Sequence, residues 1–526
     1  MTEGIIKSRR NIVAVDIGTT TIRACLYDTQ GRMVSSTSQP IKKDVRHENG
    51  LQLVEMDSKT IMSQFMQVTK KMIELSPPDL PLSMGICTQR NSFLFYNKQT
   101  LEPVGNFICW NDLRSAQYCD KMNRSVALKG LNLCGGLLHW LTRRPRYRAA
   151  RMLKFLTSMV SLRLIAALEK DPRLSTMLKE GNLGFGCLDT WLILNLSKGK
   201  KFVTEPSNTS STGMFDPFTN VYNSLILSLI HFPKTLLVPI ENSATTGQAI
   251  TSVDDDVFGR PIDVSCMLAD QCAALFGCGG WSKGDVMISM GTGTFVQKNM
   301  DDKPHASMTG LYPLVGWQLD GKTTFIAEGQ ENDTAALIEW AQKWGLFDDV
   351  STTSAIAESI PSSNGCYFVP AFGGLQTPRN DNRACSSMMG MTSTSTKAEM
   401  LRAVLEAIAF RVYEIYQTMQ KEIVDKSNSH TRVCGGISAN DFVCQTIATL
   451  VDRPVERVEG SSFAASKGVA LMTGLVQGVW NKEDLADMVR VDRIFYPKSD
   501  ERPALLRTFS MWQRAVQRCQ RFYDYQ

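Results

Sequence analysis

The sequence has no long apolar run. A membrane-spanning helix needs roughly 18–20 uninterrupted apolar residues, and the best candidate, residues 225–240, is broken by His231, Pro233 and Lys234. No spanning segment is expected. Cysteine pairs are also missing: none of the fourteen cysteines stands in a CxxC arrangement. The nearest pattern, Cys266, Cys272 and Cys278, has a spacing that suits no common zinc site. The opening stretch, residues 1–10, lacks the apolar core of a secretory leader. Reduced thiols in a cytoplasmic protein are therefore expected. Low-complexity segments are absent, and the net charge of +5 is small for 526 residues. Much of it falls in one run, Arg143, Arg144, Arg146, Arg148, Arg151 and Lys154. Composition thus excludes a nucleic-acid binder, and the run reads as a solvated loop or a docking point for a protein partner.

What is present is material for more than one core. A hydrophobic share of 43% with 21% charged residues is that of a globular protein. The length exceeds the usual 100–200 or so residues per domain, so two or more lobes are expected. Residues 11–28 read as two apolar strands joined by a Gly/Thr turn, with a third strand after the turn at residues 29–32. Asp16 lies inside the first strand, where an acid costs several kcal/mol unless something pairs with it. Mg²⁺ held beside phosphates would pair it, and so would its own turn. Gly18 permits close approach of a ligand, and Thr19 and Thr20 offer N–H and hydroxyl groups to phosphate oxygens. The same pattern restarts at residues 286–295, which places Gly291 against Gly18, Thr292 against Thr19, and Ser289 against Asp16. Two such turns, the second being Gly291-Thr292-Gly293, can clamp a nucleotide's phosphates without a Walker lysine.

Between and beyond these turns the spacing assigns further elements. Ile61, Phe65, Val68 and Met72 predict an amphipathic helix stopped by Pro77-Pro78. Gln89, Arg90 and Asn91 end a strand, where a planar guanidinium and an amide can bind a polyhydroxy substrate or form a surface turn. Trp110 ends another strand, as core or as a pocket wall. Residues 131–180 read as helical and basic. Asp189 or Thr190 is expected to cap the next helix, and residues 204–217 to form a long loop. Glu328 precedes a helix at residues 334–344, and Leu401, Leu405, Ile408, Val412 and Ile415 mark a long core helix. Gly435-Gly436 before a helix start lets backbone lie against an adenosine while Asn440 reaches base or ribose. The strand through Leu268 and the helix from Ala273 put Asp270 at a helix cap, where it can cap, act as a base, or do both.

Taken in order, these motifs resemble one family. They are Asp16-x-Gly-Thr-Thr with Arg23, Thr88-Gln-Arg, Gly186-x-x-Asp-Thr-Trp, Ala269-Asp-Gln, Met290-Gly-Thr-Gly-Thr, Val369-Pro-Ala-Phe and Gly435-Gly-x-x-x-Asn. Together they run from residue 12 to about residue 500, and the chain is identified as similar to the FGGY carbohydrate kinases. The glycerol kinases are the nearest members, and among them a divergent animal branch. The resemblance implies an α/β fold of two ribonuclease-H-like lobes, of the actin and hexokinase ATPase type, around an interlobe cleft. Residues 1–274 would form the lobe for substrate, phosphate, Mg²⁺ and catalytic base, and residues 275–526 the lobe for adenosine. It implies ATP and Mg²⁺ as cofactors and a small polyol as acceptor. Asp270 would be the general base, with Asp16 and Asp270 at the metal. Gln89, Arg90, Asn91, Trp110 and Gln271 would surround the acceptor. Gly18, Thr19, Thr20, Arg23, Gly291, Thr292, Gly293, Gly435, Gly436 and Asn440 would meet the nucleotide.

Three positions depart from the family pattern. Asn91 stands where family glycerol kinases carry a substrate-binding Glu, residues 159–163 contain no Tyr where one is supplied, and Cys434 replaces an Asp before Gly-Gly. A kinase for another sugar or sugar alcohol, or a weakly active nucleotide-binding regulator working through partners, is therefore retained beside glycerol kinase. A homodimer and a protein partner on the basic run are further expectations.

Overall fold

The computed structural model describes residues 8–48, 50–424 and 429–523; residues 1–7 of the stretch read for a leader lie outside these. Strands Asn11–Ile17, Thr21–Tyr27 and Met33–Pro40 form an antiparallel meander. Leu82–Thr88 adds parallel to the first strand, Ile262–Ala269 adds parallel to that, and the short Thr251–Val253 closes the edge. The second sheet repeats the scheme. Val286–Met290, Thr294–Asp301 and Lys322–Glu331 make the meander, and Thr431–Cys434 then Val455–Val458 join in parallel. Tyr312–Leu319 and Val491–Phe495 extend its edges. The restart in the sequence is thus a restart of the fold, with Gly18 and Gly291 each opening the turn between the first two strands of a sheet.

Side chains alternate along a strand, so each sheet needs cover on both faces. Val13, Val15 and Ile17 pack under the helix Ser58–Glu74 through Ile61, Phe65, Val68 and Met72, the stripe the spacing predicts. Asp57 caps that helix, accepting from the Thr60 N–H at 2.7 Å. The opposite face, carrying Ile12, Ala14, Cys25, Cys87, Cys266 and Leu268, meets the helix Ala464–Val476 from the far end of the chain. In exchange, the helix Asp270–Gly277, which continues the first sheet, packs Leu275 and Phe276 with Met287, Trp317 and Ile326 of the second. Phe276 and Trp317 meet edge-on at 5.2 Å. The two crossed helices touch through glycines. A Cβ on Gly468 would stand 1.8 Å from the Ala273 carbonyl oxygen, and one on Gly277 would stand 2.1 Å from that of Ala464. Full burial of a Val, Leu, Ile or Phe side chain is worth about 1.5–3 kcal/mol, so the crossed cover couples the halves.

The outer face of the second sheet is closed by the helix Lys397–Glu422, whose Leu401, Leu405, Ile408, Val412 and Ile415 are buried. A third, five-stranded sheet lies between residues 44 and 187. Around it stand the helices Ala116–Arg124, Val126–Thr142, Pro145–Arg151, Val160–Lys170 and Pro172–Lys179. Among the described residues no helix is long and apolar enough to cross a membrane, and all fourteen cysteines are free.

Two local expectations fail. The helix Leu188–Leu196 is capped by neither Asp189 nor Thr190: Cys187 holds the cap position, and the buried Asp189 accepts instead from the Thr204 hydroxyl at 2.6 Å. Residues 204–217, expected as one long loop, are interrupted by short elements and largely buried. They contain the one-turn helix Pro206–Thr209 and the strand Phe215–Asp216, and they tolerate burial because the Glu205 carboxylate accepts from the N–H groups of Ser207 and Asn208.

Candidate functional site

A cleft of about 1110 Å³ runs between the two sheets, and the strand-to-helix turn at Asp270 opens into it. Ala269 keeps an extended backbone and holds the cap position, so the helix starts one residue earlier than expected and Asp270 stands in its first turn. Its Oδ1 accepts from the Gln271 N–H at 2.7 Å. Burial raises the carboxyl to about 7; the Arg90 guanidinium opposes this and the Asp16 charge adds to it.

The turn is braced from behind. The Ala269 N–H donates to Ser207 Oγ at 2.8 Å, and the Ser207 and Ser243 hydroxyls donate to Glu205 at 2.5 and 2.6 Å. Ser243 Oγ in turn accepts from the Gln318 N–H at 3.0 Å, which ties the strand end bearing Asp270 to the second sheet. Burial lifts Glu205 to about 7, against the pull of these donors. Sequence reasoning missed Glu205, whose only signal is an acid at the head of a Ser/Asn/Thr run.

An ion pair spans the cleft beside Asp270. Arg90 Nη2 donates to both oxygens of Glu328, at 2.7 and 2.9 Å, and Glu328 also accepts from Gln297 Nε2 at 2.6 Å. Burial works against the Arg90 charge, and Glu328 more than offsets it. Arg90 also lies over the Phe295 ring at 5.6 Å. Among the described residues that line the cleft, two buried atoms have no hydrogen-bond partner, Arg90 Nη1 and Gln271 Oε1. One is a donor and the other an acceptor, so an alcohol hydroxyl can satisfy either. Glu328 stands out in the sequence, but nothing there gives it a role. Gln89 Nε2 donates to the Gly18 carbonyl at 3.0 Å, and Trp110 Nε1 to Thr19 Oγ1 at 3.1 Å. Asn91 is left-handed at φ 64°, and its Oδ1 accepts from Ser211 Oγ at 2.9 Å.

Both Gly/Thr turns line the same cleft through Gly18, Thr19, Thr20, Gly291, Thr292 and Gly293. Asp16 also faces it. Burial raises its carboxyl, Arg23 across the hairpin opposes that, and the Cys87 thiol donates to Oδ1 at 3.4 Å. Arg23 reaches to the second half, donating to the Ser462 carbonyl and stacking on Phe463 at 4.5 Å. Among the described residues no group of three or more His, Cys, Asp and Glu is placed to hold a metal. Mg²⁺ needs only one or two carboxylates beside phosphate oxygens. Asp16 and Asp270 share the cleft, and Asp16 raises Asp270; a cation between them relieves that repulsion, so the residues fit the ion.

Gly435 and Gly436 line the same cleft. At φ 89° Gly435 is left-handed, and a Cβ there would stand 2.5 Å from the Met290 carbonyl oxygen; one on Gly436 would meet nothing within 4 Å. Asn440 is not among the cleft residues. It caps the helix Asp441–Val451, accepting from the Val443 N–H at 3.0 Å and donating to Thr353 Oγ1 at 3.0 Å.

Comparison with known proteins gives a full-length match. The amino-terminal domain model of the FGGY family of carbohydrate kinases matches residues 11–277, and the carboxy-terminal domain model residues 286–475. Glycerol kinase 5 of Danio rerio is 37% identical over 529 residues, covering 99% of this chain and 98% of its own. Glycerol kinase 5 of Bos taurus is 36% identical, with 97% and 96% covered. The crystal structure of Plasmodium falciparum glycerol kinase with ADP superposes with a TM-score of 0.83 at 23% identity, covering 97% of this chain and 98% of that one, a likeness of fold.

Proposed function

The chain belongs to the FGGY family of carbohydrate kinases, and from that membership we propose that it phosphorylates a primary hydroxyl of glycerol, giving glycerol 3-phosphate, or of a similar small polyol. It is a phosphotransferase with an alcohol group as acceptor, and its fold is the two-lobed, actin- and hexokinase-like one. The observation that carries the reading is the acid at Asp270, set in one cleft with Arg90, Gln271 and both Gly/Thr turns.

In this proposal Asp270 takes the proton of the acceptor hydroxyl as its oxygen forms a bond to the γ-phosphorus of ATP and the bond to the β–γ bridging oxygen breaks. Arg90 Nη1 and Gln271 Oε1, with Gln89, Asn91 and Trp110, orient the acceptor. Gly18, Thr19, Thr20, Arg23, Gly291, Thr292 and Gly293 hold the phosphates; Gly435 and Gly436 receive the adenosine, with Asn440 shaping the helix start behind them. Asp16 and Asp270 would hold Mg²⁺, which supplies charge neutralisation at the phosphates. Residues 1–274 thus carry acceptor, base and metal, and residues 275–526 the adenosine. Reduced thiols throughout support a cytoplasmic place for the enzyme.

Asp270→Asn tests the assignment. Turnover is expected to fall by at least about a hundredfold, the lower range for a general base, while binding of ATP by calorimetry stays within a few fold. Full turnover in that variant refutes the base. A panel of polyols in a coupled ADP-release assay selects the acceptor. Because Arg90 spends one nitrogen on Glu328 and Asn91 its oxygen on Ser211, uniformly negligible turnover with intact ATP binding would favour a regulatory nucleotide-binding protein.

A further inference from the structure

Resting on the kinase reading, we infer that the acceptor is amphiphilic: a polyol headgroup carrying an alkyl or acyl tail, with the tail in an apolar trench beyond Asn91. Asn91 marks the start of the trench. Its carbonyl oxygen accepts from Arg163, which also donates to the carbonyls of Ser158 at 3.1 Å and Met159 at 3.3 Å. Past this point the cleft is walled by Leu131, Leu138, Leu153, Met159, Phe215 and Ile226. Phe215 and Ile226 are buried, Leu131, Leu153 and Met159 half-buried, and Leu138 40% exposed. The charged groups there are Lys154 and the Arg146–Asp216 pair at 2.7 Å.

A molecule with three carbons and three hydroxyls has no use for these walls. A hydrocarbon tail removes the trench walls from water, worth roughly a fourfold gain in binding per buried methylene.

The outer side of the same wall points to the same chemistry. The helix Val126–Thr142 turns one side to the helix Pro145–Arg151, where a Cβ on Gly135 would stand 2.9 Å from the Arg151 nitrogen. It leaves Val126, Leu133, Leu137, Trp140 and Leu141 exposed, Leu133 at 76% and Trp140 at 65%. Lys129 interrupts this stripe, and Arg143 and Arg144 follow its end. Exposed Leu and Trp flanked by cations suit the surface of an anionic amphiphile aggregate. A second copy of the chain would set like charges together, since no acid lies between Asp120 and Glu169. The wall is thus apolar both toward an interface and toward the trench.

The test compares glycerol with its 1-O-butyl, hexyl and octyl ethers below their micellar concentrations, using the full chain and a coupled ADP-release assay. Expected is a rise in kcat/KM of roughly fourfold per methylene until the trench is full, and loss of that slope in Leu138→Glu, a change at the exposed rim. A flat or falling series with glycerol itself turned over overturns the amphiphilic acceptor and leaves the kinase reading standing. Calorimetry with octyl glycerol and a non-hydrolysable ATP analogue decides the case without turnover. Binding at least tenfold tighter than glycerol, lost in Leu138→Glu, supports the trench; equal or absent binding overturns it.

Discussion

Changing the charges around Asp270 will move the pH dependence of the reaction in directions fixed by the geometry. With its carboxyl raised to about 7, Asp270 is ionised in roughly one molecule in eleven at pH 6 and ten in eleven at pH 8. A base that works only when ionised then gives a kcat/KM about tenfold higher at pH 8 than at pH 6, falling toward tenfold per unit on the acid side. The sign is that of an acid pushed upward: activity is gained as pH rises through the shifted value. Two neighbours act on this group in opposite senses, Arg90 lowering it and Asp16 raising it. Arg90→Gln removes the cation and moves the midpoint up, by on the order of one unit for a close charge. Asp16→Asn removes the anion and moves it down. The assay is initial rates of ADP release with both acceptor and MgATP subsaturating, because the second-order rate then reports the free enzyme. A flat profile, or midpoints that move the same way in both variants, refutes the reasoning.

Two further outcomes concern the frame that holds the site. Glu328→Gln leaves Arg90 a buried cation without its carboxylate, and breaking such a pair costs about 3–5 kcal/mol; calorimetric melting about 3–5 °C lower is expected for a chain of this length, and an unchanged melting temperature refutes the pairing. Gly468→Ala drives a Cβ onto the Ala273 main chain and is expected to destabilise by about 1–3 kcal/mol. Gly130→Ala, in a helix with nothing within 4 Å, is expected to stabilise by about 0.5–1 kcal/mol, so melts that shift alike in both variants count against the packing argument.

The sheets and their duplication were legible because the signals are local. Alternating apolar residues ending in Gly-Thr at residues 18 and 291 need no distant partner to be read. Asp270 was legible to within one residue, since a strand and a helix meeting at an acid fix the place but not whether the cap falls at 269 or 270. Asp189 shows the limit: an acid at a helix start gives the same pattern whether it caps or accepts from Thr204. Asn440 shows it again, since the amide expected to reach a nucleotide serves its own helix and Thr353. Glu328 finds its partner Arg90 238 residues away, and no periodicity carries that information. The apolar helix Ala464–Val476 announced burial, yet nothing in its pattern told which sheet it covers.

That helix also sets a timetable. Synthesis completes the last strand of the first sheet at Ala269, but the helix that covers the face of Ile12, Ala14, Cys87 and Leu268 ends at Val476. At about 5–20 residues per second, the roughly 200 residues between take on the order of 10–40 s. Through that interval the nascent first half holds a finished sheet with one bare apolar side. The first sheet therefore gains its second cover only when the far end of the chain has been made.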